Sequence, residues 1–134
     1  LILMQAFVPF MKDHGFGRVI FNSSRASVGL ETRSAYSYSK AGIIGMARTW
    51  ALELAPFGVT VNTVAPGPVL TDQFWGLVEK DSAQQVEIAA SLPVRRIGKP
   101  EDVARAILFF SDPENSYVTG QTLYVCGGSS IASG

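Results

Sequence analysis

Hydrophobic residues recur along the chain with two different spacings. Apolar positions three or four apart, among them Leu3, Phe7, Phe10 and Met11, predict an amphipathic helix over residues 1–13. The same spacing over residues 35–56 predicts the longest helix. An apolar run at residues 18–22 has the pattern of a strand buried on both faces of a parallel sheet, and β-branched or apolar runs at residues 59–65 and 121–125 predict two more strands.

Shorter helical patterns complete the sequence. Residues 71–92 carry scattered apolar side chains that are consistent with one or two short helices over a crevice, with Thr71 as a helix N-cap. Pro100 stands where a first helical residue is expected and is followed by two acidic residues, so another helix begins there and ends at Asp112. Small and polar residues at 25–34 predict a loop.

The order of these elements predicts the fold class. Strands that alternate with helices require parallel pairing through right-handed crossovers. Three strands are few for a doubly wound sheet, and the glycine-rich turn that holds a dinucleotide pyrophosphate is missing. We therefore predict an α/β fold, the C-terminal half of a Rossmann-like doubly wound parallel sheet. Residues 1–134 are expected to form a single partial domain whose N-terminal dinucleotide-binding half is absent.

Composition narrows the possible functions. Apolar residues make up 47% of the 134 residues and charged residues 16%, which is typical of a compact globular protein. Eleven basic and eleven acidic residues cancel, so nucleic acid is not an expected partner. No apolar stretch is long enough to span a membrane. A single cysteine, Cys126, fits a reducing compartment and predicts a cytoplasmic location, and with His14 as the one histidine no metal site is expected.

The candidate chemistry lies between residues 23 and 40. Tyr36 and Lys40 are four residues apart at the start of the long predicted helix, which puts a phenol and an ammonium on one face. An ammonium stabilises a nearby phenolate, so the tyrosine is a candidate general acid and base. Ser23 and Ser24 follow the first predicted strand, at the edge where α/β sheets bind ligands. On its own, however, such a tyrosine–lysine pair is also the pattern of an exposed helix surface.

Four segments follow one another along the chain and carry a family resemblance. They are Asn22-Ser23-Ser24, Tyr36-Ser-Tyr-Ser-Lys40-Ala-Gly, Asn62-Thr-Val-Ala-Pro66-Gly67-Pro-Val69-Leu-Thr71 and Arg96-Ile-Gly98-Lys-Pro100-Glu101-Asp102-Val103-Ala104. Together they resemble the classical branch of the short-chain dehydrogenase/reductase family over nearly the whole chain.

The resemblance implies a role for each motif residue. Tyr36 would exchange a proton with a carbonyl or alcohol oxygen, Lys40 would assist it and bind the nicotinamide ribose, and Ser24 would orient the substrate oxygen. The cofactor would be NAD or NADP. The residues implied to bind its nicotinamide end are Tyr36, Lys40, Pro66, Gly67, Val69 and Thr71, with the Pro66-Gly67 turn allowing the backbone to approach the ring.

Two positions depart from the family pattern. The family's spacing from serine to tyrosine is one residue longer than that from Ser24 to Tyr36, and it would fit Ser23. We prefer Ser24 because the following Arg-Ala-Ser resembles the sequence after the family's catalytic serine; the other serine is expected to bond to the backbone. Cys126 stands where the family usually has aspartate, and it is expected to be a packing residue.

The residues and the resemblance leave two hypotheses, one for an enzyme and one for a non-catalytic protein. The leading hypothesis is an oxidoreductase that transfers a hydride between NAD(P) and a small secondary alcohol or ketone, in a homodimer or homotetramer paired through helices 1–13 and 35–55. In that case the parent protein is an enzyme and these residues alone are inactive. The alternative is a non-catalytic fragment or scaffold that retains only the oligomerisation helices. A serine hydrolase is not supported, because the chain lacks a glycine-flanked nucleophile and a suitable histidine.

Overall fold

The computed structural model describes residues 1–132 and contains a three-stranded parallel sheet with helices on both faces. The strands are β1 (Gly17–Asn22), β2 (Val59–Pro66) and β3 (Thr122–Val125), in the spatial order β1-β2-β3. The helices are α1 (Ile2–Asp13), α2 (Ser34–Leu54), α3 (Asp72–Trp75), α4 (Ala83–Ser91) and α5 (Pro100–Ser111). The predicted fold class is confirmed.

The middle strand, β2, is the centre of the core. All of its residues except Pro66 are buried, and it pairs in parallel with β1, where Val19 lies opposite Val61, and with β3, where Val64 lies opposite Leu123. A strand covered on both faces favours β-branched side chains along its whole length, which explains why this run could be found in the sequence.

Strand β1 is less buried than predicted. Val19 is buried, but Ile20 and Phe21 are only half-buried and Asn22 is exposed. The expectation of a strand buried on both faces is therefore wrong for half of β1. The reason is its position, because in the part of the chain that the structure describes β1 pairs with β2 alone and forms an edge of the sheet.

Two apolar clusters hold helices against the sheet. On one face, α1 and α2 pack against β1 and β2 around Ala47, Ala51, Leu54 and Val61. On the other face, α5 packs through Ala106 and Phe110 against Val64 of β2. The sheet is thus covered on both faces, as a doubly wound architecture requires.

The helix over residues 1–13 is confirmed, but of the apolar positions that the pattern marked only Met11 packs toward the sheet. Met4, Val8 and Met11 pack against the core cluster. Phe7 and Phe10 remain 55% and 62% exposed. Helix α1 therefore has two apolar faces, of which the sheet uses one.

The predicted loop after β1 contains a short helical turn. A 3₁₀ turn covers Arg25–Val28, and it ends at Gly29 with φ of 109°, a conformation that favours glycine. The first helical residue of α5 is Pro100, as predicted, and the side chain of Asp102 accepts a hydrogen bond from the Lys99 N–H at 2.8 Å.

Within residues 1–132 no helix has both the length and the hydropathy needed to cross a lipid bilayer. The same residues include no group of three or more metal-ligating side chains placed to hold an ion.

Candidate active site

A cleft of about 450 Å³ opens where the carboxyl ends of β1 and β2 meet the start of α2. Parallel α/β sheets bind their ligands beyond this edge. The sequence-predicted site residues all line the cleft: Ser24, Tyr36, Lys40, Pro66, Gly67, Val69 and Thr71. The fold thus gathers residues that are up to 47 positions apart in the chain, from Ser24 to Thr71, around one space.

Tyr36 and Lys40 lie on the first two turns of α2. The Lys40 Nζ is 5.6 Å from the centroid of the Tyr36 ring. It also donates a hydrogen bond to the carbonyl oxygen of Asn22, the last residue of β1, at 3.3 Å. An ammonium carries three N–H groups, so this single backbone bond leaves others to serve a ligand or the phenol. Tyr36 is 39% exposed, and its ring borders the cleft.

The two adjacent serines have different surroundings. Ser23 is only 4% exposed, and its hydroxyl donates a 2.7 Å hydrogen bond to the carbonyl oxygen of Lys40. The Ser24 hydroxyl caps the 3₁₀ turn by accepting a 3.1 Å bond from the Ala26 N–H. Accepting that bond leaves the Ser24 O–H proton free to donate. Ser23 therefore ties β1 to α2, whereas Ser24 keeps a donor at the cleft.

The loop after β2 passes close to the end of β3. A Cβ added at Gly67 would lie 2.8 Å from the Cα of Cys126, so the glycine is required by packing of this loop against Cys126. The sequence resemblance had implied another reason, close approach of the backbone to a nicotinamide ring. Cys126 is buried, with its Sγ 3.2 Å from the Ser130 hydroxyl, which agrees with the packing role predicted for it.

The main-chain N–H and C=O of Val69 are not used in the pairing of its loop with Gly98. The loop pairs in parallel with Gly98: the Leu70 N–H donates to the Gly98 carbonyl at 2.9 Å, and the Gly98 N–H donates to the Pro68 carbonyl at 3.0 Å. In such a pairing the N–H and C=O of the central residue, here Val69, point away from the partner strand.

Thr71 caps helix α3, as the sequence predicted. Its hydroxyl oxygen accepts a hydrogen bond from the Phe74 N–H at 3.4 Å, and its O–H donates one to the Val69 carbonyl oxygen, also at 3.4 Å. Thr71 is exposed, so its hydroxyl is also accessible from the cleft that it lines.

An apolar wall lines part of the cleft, and only one of its residues, Val103, lies within the four sequence motifs. Phe74 and Leu77 border the cleft from the segment that was predicted to lie over a crevice, and that prediction is confirmed for both. Val103 and Ile107 of α5 border it from another side. Val103 also packs against the core cluster, so this face of α5 is shared between the core and the cleft.

Asp102 fixes the start of α5 beside the cleft. Its carboxylate accepts hydrogen bonds from the Arg96 guanidinium at 2.7 Å and the Lys99 N–H at 2.8 Å. Chiefly because of the Arg96 hydrogen bond, and then the one from Lys99, the pKa of Asp102 falls to about 2. The same contact raises the pKa of Arg96. The Arg96–Gly98 segment that pairs with Val69 is thereby held to α5.

Comparison with known proteins identifies the family. The family model described as enoyl-(acyl carrier protein) reductase matches residues 1–130. A solved structure described as a short chain dehydrogenase/reductase family protein is 37% identical, with a TM-score of 0.85 over 98% of this chain and 53% of that one. The chain belongs to the short-chain dehydrogenase/reductase family. The resemblance drawn from the four motifs is confirmed.

Proteins of related sequence include dehydrogenases whose names give different substrates. The (2S)-[(R)-hydroxy(phenyl)methyl]succinyl-CoA dehydrogenase subunit BbsD of Thauera aromatica is 42% identical over 97% of this chain and 51% of its own length. The structure of 7α-hydroxysteroid dehydrogenase in complex with NADH and 7-oxo glycochenodeoxycholic acid is 33% identical, with a TM-score of 0.86 over 94% of this chain and 49% of that one. The chain spans about half the length of the curated relatives it matches.

Proposed function

We propose that this chain forms the catalytic half of an NAD(P)-dependent oxidoreductase that interconverts a secondary alcohol and a ketone. The observation that carries the proposal is the cleft itself. A phenol, an ammonium and a hydroxyl with a free proton, from Tyr36, Lys40 and Ser24, border it together, at the edge of a parallel sheet in a short-chain dehydrogenase/reductase fold.

The donor groups around the cleft suit the nicotinamide end of NAD or NADP. Val69 offers an N–H that faces away from Gly98, and the Lys40 ammonium has N–H groups to spare. The Val69 carbonyl and the Thr71 hydroxyl share only a long bond of 3.4 Å, which a ligand can replace. A carboxamide and a ribose need this mixture of donors and acceptors. When bound, the cofactor supplies the hydride donor or acceptor, and the protein supplies binding and proton transfer.

Proton transfer is assigned to Tyr36. Its phenol would donate a proton to the oxygen of a ketone, or accept one from an alcohol, while the nearby ammonium of Lys40 stabilises the phenolate that results. The hydroxyl of Ser24 would donate a hydrogen bond to the same substrate oxygen and hold it in place. Ser23 is not assigned this role, because its proton is committed to the Lys40 carbonyl.

The adenosine and pyrophosphate of the cofactor need a second binding region. In Rossmann folds a glycine-rich turn at a helix N-terminus supplies it. Residues 1–132 contain no such turn after a strand. We therefore propose that residues 1–134 act within a longer protein whose other half binds that end of the cofactor.

Exposed apolar faces favour a homo-oligomer as the active assembly. Phe7 and Phe10 on α1 and Leu52 on α2 are at least half exposed. Contiguous apolar surface on a folded protein usually marks an interface. We propose pairing of two copies through these helices, into a dimer or a tetramer. A non-catalytic scaffold would have the same exposed apolar surface. Activity measurements are therefore needed to distinguish the scaffold from the enzyme.

The decisive experiment replaces Tyr36 with phenylalanine in the full-length protein. Because only the phenol oxygen is lost, Tyr36→Phe should reduce turnover of secondary alcohols and ketones by about 10²–10⁴-fold while leaving the Kd for NAD(H) or NADP(H) nearly unchanged. Tyr38→Phe is a matched control, since Tyr38 lies on the same turn of α2 but is 82% exposed and does not border the cleft.

Two results would contradict the proposal. If Tyr36→Phe keeps more than about a tenth of the wild-type rate, the phenol is not the general acid and base. If the full-length wild type binds neither cofactor and turns over no alcohol or ketone, the scaffold function replaces the catalytic one.

A further inference from the structure

Two hydrogen bonds from one arginine hold the short loop that carries Ser24. The Arg25 Nη1 donates to the carbonyl oxygen of Gly29 at 2.9 Å, which closes the loop over residues 24–29 on itself. The Nε of the same guanidinium donates to the carbonyl oxygen of Ser129 at 3.1 Å. One side chain thus joins the loop to the segment that follows β3, which is 104 residues away in sequence.

A second contact supports the same connection. The hydroxyls of Ser27 in the loop and Tyr124 in β3 are 3.2 Å apart. Between these two contacts, Ala26 is 2% exposed and packs into the interior. The loop is therefore attached to the end of the sheet at two points, through Arg25 and Ser27, which are one and three residues after Ser24.

These contacts bear directly on Ser24. Its Oγ is oriented by the Ala26 N–H at 3.1 Å, a bond inside the 3₁₀ turn that Arg25 begins. A shift of the turn therefore moves the hydroxyl. Catalytic geometry tolerates little displacement, and about 1 Å can cost roughly 10²-fold in rate.

We propose that Arg25 is a positioning residue of the proposed oxidoreductase, which holds the Ser24 hydroxyl against the substrate oxygen by fixing the loop to the segment after β3. The inference rests on the proposed function, because it assigns Arg25 an effect only through Ser24. Arginine suits this role since its rigid, planar guanidinium directs donors to two carbonyls at once, whereas the ammonium of lysine is a single centre on a flexible stem.

The test compares two arginines in the full-length protein. Arg25→Met removes both hydrogen bonds and keeps an apolar side chain, and we expect kcat to fall about tenfold with an unchanged Kd for the cofactor. Arg18→Met is the control, because Arg18 also donates to carbonyls, those of Gly17 and Pro113 at 2.9 Å, but lies at the amino end of β1. It should leave kcat within about twofold of wild type, and Arg25→Lys should recover part of the loss.

A double-mutant cycle shows whether Arg25 acts through Ser24. In a Ser24→Ala background Arg25→Met should cause no further fall in kcat, because there is no hydroxyl left to position. A tenfold fall that persists in this background overturns the inference, and so does an unchanged kcat for Arg25→Met in the wild-type background. If Arg25→Met does not fold, Arg25→Gln takes its place in the same cycle, with the same two contradicting outcomes.

The cycle also separates this inference from the proposed function. If Ser24→Ala alone leaves kcat unchanged, the role proposed for Ser24 is wrong and the inference is overturned with it. If Ser24→Ala lowers kcat but Arg25→Met does not, the proposed function stands and only the positioning role of Arg25 is wrong.

Discussion

At the scale of residues, the two serines after β1 show how neighbours in sequence acquire different roles. Ser23 points its hydroxyl inward to the Lys40 carbonyl, and Ser24 keeps its hydroxyl at the cleft. Both serines border the cleft, but successive side chains of an extended backbone point in opposite directions, so the two hydroxyls have different partners. The backbone at Ser24 is extended, with φ of −161° and ψ of 155°.

We predict that alanine at Ser24 lowers mainly kcat, whereas alanine at Ser23 lowers mainly stability. Ser24→Ala should lower kcat by roughly 10²-fold, because the substrate oxygen would lose the proposed donor in the transition state, and should lower thermal stability only slightly, through loss of the cap on the 3₁₀ turn. Ser23→Ala should lower the free energy of unfolding by roughly 1 kcal/mol, because it removes the hydrogen bond from the buried Ser23 hydroxyl to the Lys40 carbonyl, with a small effect on kcat.

Steady-state kinetics and urea unfolding of both variants in the full-length protein measure the two effects separately. If Ser23→Ala has the larger effect on kcat, the substrate-orienting role belongs to Ser23, and the family's usual spacing to Tyr36 is restored.

At the scale of elements, the start of α5 is held by one carboxylate. Asp102 accepts hydrogen bonds from the Lys99 N–H at the helix N-terminus and from Arg96 in the preceding loop. The same loop pairs with the Val69 segment at the cleft. The geometry of the proposed nicotinamide-binding loop therefore depends on a helix cap that lies outside the cleft.

This cap makes stability depend on pH in a defined direction. Because the folded state lowers the pKa of Asp102 from 3.8 to about 2, the stabilisation is fully present above pH 4 and is lost as the pH falls toward 2. Asp102→Asn should therefore have a lower Tm than wild type at pH 7, and the difference should shrink between pH 4 and pH 2.

Thermal unfolding of the full-length protein across this range checks the prediction. Glu101→Gln is the control, because Glu101 is in the same first turn of α5 and forms no ion pair within the described residues. If the difference in Tm between Asp102→Asn and wild type stays constant from pH 7 to pH 2, the Asp102 carboxylate is not the cause of the pH dependence.

At the scale of the whole molecule, apolar surface remains on the outer sides of α1 and α2. Phe7 and Phe10 are more than half exposed, and Leu52 is 81% exposed. An interface made of the same helices in both copies is self-complementary about a two-fold axis.

We predict that the full-length protein sediments as a dimer or tetramer at micromolar concentration. Phe10→Lys should shift it toward smaller species, because it places a charge in the apolar contact. Lys80→Glu, an exposed change between α3 and α4, is the control and should leave the sedimentation coefficient unchanged. A wild type that sediments as a monomer would exclude the proposed pairing.

The sequence by itself determined the order and type of the main elements and part of the lining of the cleft, namely the predicted site residues. The β-branched run of β2, the helical spacing in α2 and the proline at the start of α5 are local signals whose physical causes act within a few residues. The spacing of Tyr36 and Lys40 and the motif around Pro66-Gly67 were equally local, and both lie at the cleft. Parallel pairing of the strands alone explains why these residues meet at one edge of the sheet, beyond the carboxyl ends of the strands.

Only the tertiary structure decided which side of each element is used. It turned Met4, Val8 and Met11 of α1 to the sheet and left Phe7 and Phe10 outside, although both sets have helical spacing. It placed Gly67 against Cys126, and it joined Arg25 to the Ser129 carbonyl. These contacts link residues 59 and 104 positions apart, and their partners are backbone atoms, which every residue possesses. No local pattern could therefore reveal them, because the contact depends on where the fold brings the two chain segments together.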